Sequence, residues 1–398
     1  MSIFENVVPF PPDPIFGLGT RFKKDKNPNK VDLTVGIFRD EDLETHTLRC
    51  VKEAEKVLEK IEKDKLYLSM GGDQTFIQEA QKLVFGEDFC KKAKGTLFGA
   101  QTLGGTGGLR LGGDFLAREV TKKVYLSDPT WPNHRGIFEA CGMEIETYPY
   151  YNYETHTLDF ERMLDALSRA PENSIVVLHG CCHNPTGCDP TEAQWKELST
   201  FLLKKKLVPF FDFAYQGFGR GLEEDAWAIR HFANQGHEMF VAASYSKNFG
   251  LYGERIGCLS IIAKNEQLSQ NLSSVVKRLA RVNYSNPPRH GAGIITTILQ
   301  DAGLVEMWKG EVNQMRERII FIKNELVDAL GKQFGKDKFG FLKRRYGLFS
   351  MLGISGKQVD RMIDEYAVYL TSSGRINLTG LNEKNMPYVI EAILKTKG

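Results

Sequence analysis

Short apolar runs recur through the middle of the chain, and longer stretches with helical spacing separate them. The runs are "KKVYLSD" (122–128), "SIVVLHGC" (174–181), "LVPFFDFAY" (207–215), "MFVAASYS" (239–246) and "GCLSIIA" (257–263). Intervening segments such as "PTEAQWKELSTFLLKKK" and "EDAWAIRHFANQG" carry apolar residues at intervals typical of a helix. Strands that alternate with helices favour an α/β fold with a mainly parallel central sheet covered by helices.

A second pattern, in the last third of the chain, has apolar residues at intervals of three and four and predicts one long amphipathic helix. Its apolar positions are Trp308, Val312, Met315, Ile319, Ile322, Leu326 and Leu330. The segments that follow, "FGFLKRRYGLFSMLGIS" and "GKQVDRMIDEYAVYLTSSGRINLTGL", indicate short strands with a helix between them. This predicts a smaller α+β unit, and the proline-rich residues 9–14 predict an extended N-terminal arm.

Composition narrows the class of protein. Of 398 residues, 42% are hydrophobic and 26% charged, as in ordinary folded proteins. Lys plus Arg number 52 and Asp plus Glu 50, so the net charge of +2 predicts neither nucleic acid nor a membrane as partner. No export signal or long apolar span is found, and seven cysteines without a CxxC pair are typical of reduced thiols. We therefore expect a cytoplasmic protein.

The stretch "HGCCHNPTGCDP" (179–190) raises the question of a metal site, because it holds three cysteines and two histidines. Zinc ligands often pair at CxxC spacing, which is absent here. If the preceding strand continues, Cys182 and His183 point to opposite faces and cannot chelate one ion. We therefore predict no metal, with Cys181 and Cys182 as core residues at a strand end. The turn after Asn184 would place its amide at the ligand-binding edge of the sheet.

A glycine-rich turn, "QTLGGTGGLRLGGDFLA" (101–117), opens a predicted helix. Backbone N–H groups and the helix dipole at such a turn suit an anion such as phosphate. The segment lacks the Gly-Lys-Ser/Thr of a nucleotide-binding loop, and a dinucleotide fingerprint starting at Gly105 would need glycine in place of Arg110. The alternative to an anion site is that the turn needs these glycines only for its backbone conformation.

Four charged residues add candidate chemistry. Asp212 ends an apolar strand, where an ionised carboxylate needs a cationic partner, although it could instead cap the next turn. Lys247 in "SYSKNFGLYGERIG" follows another strand, and a desolvated lysine has a lowered pKa and reacts with carbonyls; a surface lysine is the simpler alternative. Arg281 and Arg375 lie in polar turns and suit carboxylate recognition or surface ion pairs. With Arg255 nearby, this set matches the needs of pyridoxal phosphate.

These motifs resemble the class I aminotransferases of pyridoxal phosphate fold type I, in the aspartate and aromatic branch. The resemblance covers nearly the whole chain, through "DPIFGL", "GGTGGLR", "PTWPNH", "HGCCHNPTG", "DFAYQGF", "SYSKNFGLYGERIG", "NYSNPP" and "SGRINLTGL". It implies a large domain with a mainly parallel central sheet and a smaller α+β domain. We expect an N-terminal arm and part of the small domain in 1–45, the large cofactor-binding domain in 46–310 and the small C-terminal domain in 311–398.

The resemblance also implies roles at the cofactor, pyridoxal 5'-phosphate. Lys247 would form the internal aldimine and then act as general base, and Asp212 would pair with the pyridinium N–H. Tyr215 and Asn184 would hydrogen-bond the phenolic oxygen and so lower the aldimine pKa. Trp131 would stack on the ring, with His134 behind it. The phosphate would be bound by Gly105, Thr106, Ser244 and Arg255, and by Tyr67 of the partner subunit.

For the substrate, the resemblance implies that Arg375 binds the α-carboxylate with help from Asn184 and the backbone of Gly36. Arg281 would come from the other subunit to bind a side-chain carboxylate, so the active sites of a homodimer would be shared. The set expected at the substrate is Gly36, Trp131, Asn184, Arg281 and Arg375.

The resemblance implies aspartate aminotransferase activity, which would move the amino group reversibly from L-aspartate to 2-oxoglutarate, giving oxaloacetate and L-glutamate by a ping-pong mechanism through a Lys247 aldimine. An aromatic amino-acid aminotransferase is the alternative. Gly253 stands where aspartate-preferring members often carry Asn, and "LSMGGDQ" (68–74) partly resembles aromatic-tolerant members. A nucleotide-dependent dehydrogenase is one alternative, but the dinucleotide fingerprint is missing and Lys247 would have no role. A non-catalytic, cofactor-binding regulator is another, and it would be expected to carry a DNA-binding segment or an extra domain. Lyases and decarboxylases share this fold, and the sequence separates them from aminotransferases only through the family match.

Overall fold

The secondary structure is that of an α/β protein. The computed structural model describes residues 2–9, 14–335 and 338–396. Its strands are β1 (Val31–Asp32), β2 (Leu97–Leu103), β3 (Lys123–Asp128), β4 (Glu144–Pro149), β5 (Tyr151–Asn152), β6 (Thr157–Leu158), β7 (Ile175–His179), β8 (Val208–Phe213), β9 (Met239–Ser244), β10 (Ile256–Ile262), β11 (Phe349–Met351), β12 (Val368–Tyr369) and β13 (Arg375–Asn377).

Helices occupy most of the remaining chain. They are α1 (Pro14–Lys24), α2 (Arg49–Ile61), α3 (Gln74–Phe85), α4 (Glu87–Lys92), α5 (Gly104–Glu119), α6 (Asn133–Ala140), α7 (Phe160–Ser168), α8 (Glu192–Lys205), α9 (Leu222–Asp225), α10 (Trp227–Asn234), α11 (Glu266–Asn283), α12 (His290–Gln300), α13 (Ala302–Phe334), α14 (Gly356–Tyr366) and α15 (Met386–Thr396). Short 3-10 turns occur at Gly340–Arg344 and Leu378–Gly380.

A seven-stranded sheet forms the centre, in the order β2-β10-β9-β8-β7-β3-β4. Strand β10 is antiparallel to both of its neighbours, and the other strands run in one direction. The predicted strands are β3, β7, β8, β9 and β10, whereas β2 and β4 were not predicted. The mainly parallel α/β fold expected from the sequence is confirmed.

The apolar runs form strands that are covered on both faces. Neighbouring side chains alternate between two hydrophobic clusters: Phe210 packs with Leu109 and Phe115 on one face, and Phe211 packs in the other cluster. Strand β7 is buried at every position. Because helices cover both faces, the strands read as continuous apolar runs rather than as alternating ones.

The predicted long helix is α13, which spans 33 residues. After it, β11 pairs with β13, and β12 pairs in parallel with β1, so that residues 31–32 join the C-terminal unit. The proposed domain boundaries at residues 45 and 310 remain predictions. Of the predicted N-terminal arm, residues 10–13 lie outside the described residues. Within the described part of the chain, no helix is long and apolar enough to cross a membrane.

The expectation about the cysteine-rich stretch needs correction. Strand β7 ends at His179, and Cys182 has a φ of 51°, so the alternation that was to separate Cys182 from His183 does not apply. Cys181 and Cys182 are only 6% and 3% exposed, which confirms them as core residues. Their sulfur atoms and a carboxylate oxygen of Asp225 lie within 4.8 Å of one another, and the absence of a metal there remains a prediction.

The local structure at two arginines also differs from the expectation. Arg281 lies in the last turn of α11 and Arg375 begins β13, so neither is in the polar turn that was predicted. The neighbouring asparagines, glycines and serines suggested turns, but hydrogen-bonded elements continue through both positions. Lys247 does follow β9.

Candidate active site

A cavity of about 310 Å³ opens where β7, β8 and β9 end. This is the carboxyl edge of the parallel strands, where ligands bind in open α/β sheets. Most of the predicted site residues line it, namely Gly36, Gly105, Thr106, Trp131, Asn184, Asp212, Tyr215, Ser244, Lys247, Arg255 and Arg375. The fold therefore brings together side chains from segments more than three hundred residues apart.

Asp212 lies near the end of β8, and its side chain is 13% exposed. Its Oδ2 atom is 3.0 Å from Nε2 of His134, whose Nδ1 is 2.7 Å from the hydroxyl of Thr130. Burial alone would raise the pKa of Asp212, but the hydrogen bond to His134 and the nearby positive charges lower it below its usual value. The cavity therefore contains a carboxylate that stays ionised.

Lys247 is half-buried in the turn after β9. Its Nζ atom lies 4.8 Å from the centre of the Tyr215 ring. Burial lowers the pKa of Lys247 to about 8, and the charge of Asp212 opposes part of this effect. A lysine with such a pKa is partly uncharged near neutral pH, which makes its amine a nucleophile.

An anion cradle is formed at the start of α5. The first N–H groups of a helix have no intrahelical partner, and Gly105, the second residue of α5, lines the cavity. Gly104 has a φ of 68°, and a Cβ there would lie 2.7 Å from Nη2 of Arg255. Arg255 donates to the hydroxyl of Ser246 at 3.3 Å, and Ser246 lies 3.3 Å from the hydroxyl of Ser244. Backbone donors, hydroxyls and a guanidinium thus converge.

Arg375 is only 2% exposed on the cavity wall. It donates to the carbonyl of Thr34 at 2.5 Å and to Oδ1 of Asn184 at 3.3 Å, and its guanidinium lies 4.1 Å from the centre of the Phe349 ring. Burial lowers the pKa of Arg375 to about 10. Its Nε is buried without a hydrogen-bond partner among the described residues. A desolvated guanidinium of this kind suits a bound carboxylate.

Asn184 is held from two sides. Its backbone N–H donates to Nδ1 of His179 at 3.0 Å, and its side-chain oxygen accepts from Arg375. Burial, with a smaller contribution from the charge of His134, lowers the pKa of His179 to about 3, so that its ring is a neutral acceptor. The amide NH₂ of Asn184 is then left for a ligand in the cavity.

The residues of the cavity wall that were not predicted include His179, Ser246 and Phe349, which contact Asn184, Arg255 and Arg375 respectively. His179 and Ser246 lie within the quoted motifs, and their polar side chains at strand ends were the available signal. Phe349 offers no signal, because its sequence context is that of a core residue. It packs so closely on Gly36 that a Cβ there would lie 2.7 Å from the ring.

Two predicted residues do not reach the cavity within one chain. Tyr67 is 91% exposed, and Arg281 is exposed on α11, where it donates to the hydroxyl of Ser285 at 2.5 Å. His134 touches the site through Asp212 and lies edge-on to Trp131, with 5.3 Å between ring centres. The expected roles of Tyr67 and Arg281 therefore remain predictions.

Known proteins are similar to this chain in sequence and in fold over nearly their whole length. The family described as aminotransferase class I and II matches residues 28–393. The aspartate aminotransferase of Haemophilus influenzae is 43% identical over 394 residues, which cover 99% of this chain and 100% of that protein. The chain belongs to the class I and II aminotransferases. The family expected from the motifs is thereby confirmed.

Solved structures of aminotransferases agree with this one. The aromatic-amino-acid aminotransferase of Burkholderia pseudomallei, covalently bound to pyridoxal phosphate, has a TM-score of 0.96 and 42% identity over 100% of both chains. An aromatic amino acids aminotransferase of Psychrobacter sp. B6, cocrystallised with aspartic acid, has a TM-score of 0.96 and 37% identity over 99% of each chain. The aminotransferase fold therefore extends over the whole chain.

Proposed function

We propose that this aminotransferase uses pyridoxal 5'-phosphate to move the amino group of L-aspartate to 2-oxoglutarate, giving oxaloacetate and L-glutamate in a ping-pong reaction. The observation that carries the proposal is the convergence of Lys247, Asp212 and Arg375 with the anion cradle in one cavity. These groups are the ones that the cofactor and an amino acid require.

The residues present fit the cofactor. The cradle at Gly105 and Arg255 suits its phosphate, and the ionised Asp212 suits a protonated pyridine nitrogen. The amine of Lys247 suits its aldehyde carbon, and Trp131 lines the same cavity for stacking. When bound, pyridoxal phosphate supplies an electron sink for the charge that develops at the substrate Cα.

The protein's contribution to the proton transfer comes from Lys247. Its amine would hold the cofactor and, when free, would take the proton from the substrate Cα as a general base. Burial keeps its pKa at about 8, close enough to neutrality for both accepting and returning a proton. Asp212, held by His134, stays ionised and would stabilise a positive charge on the pyridine ring.

Tyr215 and Asn184 are the proposed donors to the cofactor's phenolic oxygen. Burial holds the pKa of Tyr215 well above its usual value, so its hydroxyl keeps its proton and donates. Asn184 donates through its NH₂ group, because its oxygen already accepts from Arg375. Both hydrogen bonds favour the anionic form of that oxygen.

Arg375 is the proposed receptor for the α-carboxylate, beside Asn184 and the backbone of Gly36. We further propose a homodimer in which Tyr67 and Arg281 of each subunit complete the other subunit's site, at the phosphate and at the side-chain carboxylate. Their exposure in the single chain supports this, since neither has a role in the core of its own subunit.

An aromatic amino acid as donor is the second candidate. The relatives from Burkholderia pseudomallei and Psychrobacter are both named aromatic aminotransferases, and the latter was crystallised with aspartic acid. Apart from its chain neighbours, no atom of the described residues lies within 4 Å of a Cβ placed at Gly253, so that position leaves open space. Aspartate stays the preferred donor because of the relative from Haemophilus influenzae.

The experiment compares kcat/KM for aspartate, phenylalanine and tyrosine with 2-oxoglutarate, in the wild type and in Arg281→Ala. We expect aspartate to be preferred, and Arg281→Ala to lose activity with aspartate far more than with phenylalanine, because only aspartate has a side-chain carboxylate. Arg278→Ala, one turn earlier on α11 and also exposed, is the matched control. Equal losses with both substrates would contradict the role proposed for Arg281.

The proposed location is the cytoplasm. All seven cysteines, Cys50, Cys90, Cys141, Cys181, Cys182, Cys188 and Cys258, are free thiols in the structure. Thiols persist in reducing compartments, whereas secreted proteins tend to form disulfides.

A further inference from the structure

Two carboxylates near the cavity have no part in the proposed reaction. Asp189 is half-buried and accepts the backbone N–H groups of Cys182 and His183 at 2.7 and 2.8 Å. Asp225 is 3% exposed and accepts three backbone N–H groups. Its donors are Gly217 at 2.9 Å, Gly219 at 2.9 Å and Arg220 at 2.8 Å.

Asp189 organises the turn that follows β7. Cys182 has a φ of 51°, in the left-handed region that residues other than glycine rarely adopt. The two hydrogen bonds that Asp189 accepts hold the backbone on both sides of this strained position. Asn184 is the next residue after His183, so Asp189 helps to fix where its side chain enters the cavity.

Asp225 organises the corresponding turn after β8. This turn begins at Tyr215, whose carbonyl accepts the N–H of Phe218 at 3.0 Å. Gly217 has a φ of 94°, which only glycine adopts readily, and its N–H is one of those bound by Asp225. Asp225 therefore fixes the backbone that directs the Tyr215 ring.

The two turns are in contact with each other. A Cβ at Gly219 would lie 3.1 Å from Sγ of Cys182 and 2.5 Å from Oδ1 of Asp225. The turn after β7 is thus packed against the one after β8.

We propose that Asp189 and Asp225 are a pair of positioning residues, each holding the turn that directs one of the two donors, Asn184 or Tyr215, to the cofactor's phenolic oxygen. The inference deepens the proposed function and rests on it. Burial raises the pKa of Asp189 to about 6 and that of Asp225 above its usual value. Carboxylates kept in such surroundings are costly, and the organised turns are what they provide.

The test is a pH titration of the bound cofactor's visible absorbance in the holoenzyme of Asp189→Asn and Asp225→Asn. An amide keeps one acceptor and turns an NH₂ toward a backbone N–H, so each turn should relax. We expect the pH midpoint of the absorbance change to rise by about one unit. This corresponds to a tenfold higher proton affinity of the bound cofactor, because a weaker hydrogen bond to its phenolic oxygen stabilises the anionic form of that oxygen less. The cofactor dissociation constant is measured alongside.

Glu311→Gln is the matched control. Glu311 also accepts two consecutive backbone N–H groups, those of Arg49 and Cys50 at 2.6 and 3.0 Å, at the start of α2. Its loss should lower stability and leave the absorbance midpoint unchanged. A double variant, Asp189→Asn with Asn184→Ala, should have the midpoint of Asn184→Ala alone, because Asp189 acts through Asn184.

The outcomes separate the two proposals. A wild-type protein without any cofactor absorbance would overturn the proposed function, and this inference with it. A normal wild-type titration with unchanged midpoints in both variants, or the same rise in Glu311→Gln, would overturn only the positioning role. If an Asp→Asn variant fails to fold, Asp189→Glu and Asp225→Glu keep the charge and displace it, and an unshifted midpoint in both would again overturn the inference.

Discussion

Replacement of Arg375 by lysine tests the proposed carboxylate receptor directly. In the structure, Arg375 donates to Thr34 and Asn184 and lies against the Phe349 ring, so its fork is fixed before substrate arrives. Lysine keeps the positive charge but offers a single point of contact, with no planar fork. The substitution therefore removes the planar two-point contact with a carboxylate and keeps the positive charge.

The magnitude follows from the loss of one charge-assisted hydrogen bond. Such a bond contributes about 1.5–3 kcal/mol, and about 1.4 kcal/mol corresponds to a tenfold change. We expect kcat/KM for aspartate to fall by roughly 10- to 100-fold, mostly through KM, since the carboxylate is bound in both the ground state and the transition state.

Steady-state kinetics with saturating 2-oxoglutarate measures this effect. Arg361→Lys is the control, because Arg361 also forms a two-point contact, with Glu365 at 2.7 and 3.0 Å, on the exposed surface. Unchanged kcat/KM in Arg375→Lys, or an equal loss in Arg361→Lys, would refute the reasoning.

Two further predictions concern the site and its frame. In the cofactor-free protein, the rate of acylation of Lys247 should increase with pH, with a midpoint near pH 8. Burial lowers the pKa of Lys247 to about 8, so the amine loses its proton above that pH. A midpoint at the ordinary lysine value of about 10.4 would contradict this. Gly187→Ala should destabilise more than Gly142→Ala in urea unfolding. Both glycines are left-handed, at 63° and 73°, but only a Cβ at Gly187 meets backbone, 2.6 Å from the Phe349 carbonyl. Equal losses would refute the clash.

The central strands could be predicted because they are buried on both faces, which makes β7, β8 and β9 continuous apolar runs. The edge strands could not. In β2, Gln101 is fully buried, and its side chain bonds the carbonyl of Pro288 and the N–H of Asp73, partners that only the fold brings close. Strand β4 lies at the other edge and carries exposed glutamates, so its pattern lacks an apolar run.

The candidate site was predictable where chemistry and strand ends coincide, as at Asp212 and Lys247. Phe349 was not, because its role depends on stacking against Arg375 from another segment. Asp189 could not be predicted either, because the positioning role proposed for it depends on the hydrogen bonds that it accepts from two backbone N–H groups. Local sequence gives no measure of such long-range or backbone contacts.

The most direct test of the account is to treat the pyridoxal phosphate-loaded protein with borohydride, which reduces the bond between a lysine and the cofactor to a stable amine. Peptide mapping by mass spectrometry should then find the pyridoxyl group on Lys247, and Lys247→Ala should remain unlabelled at that peptide. A pyridoxyl group on a different lysine, or none on the wild type, would contradict the proposed active site.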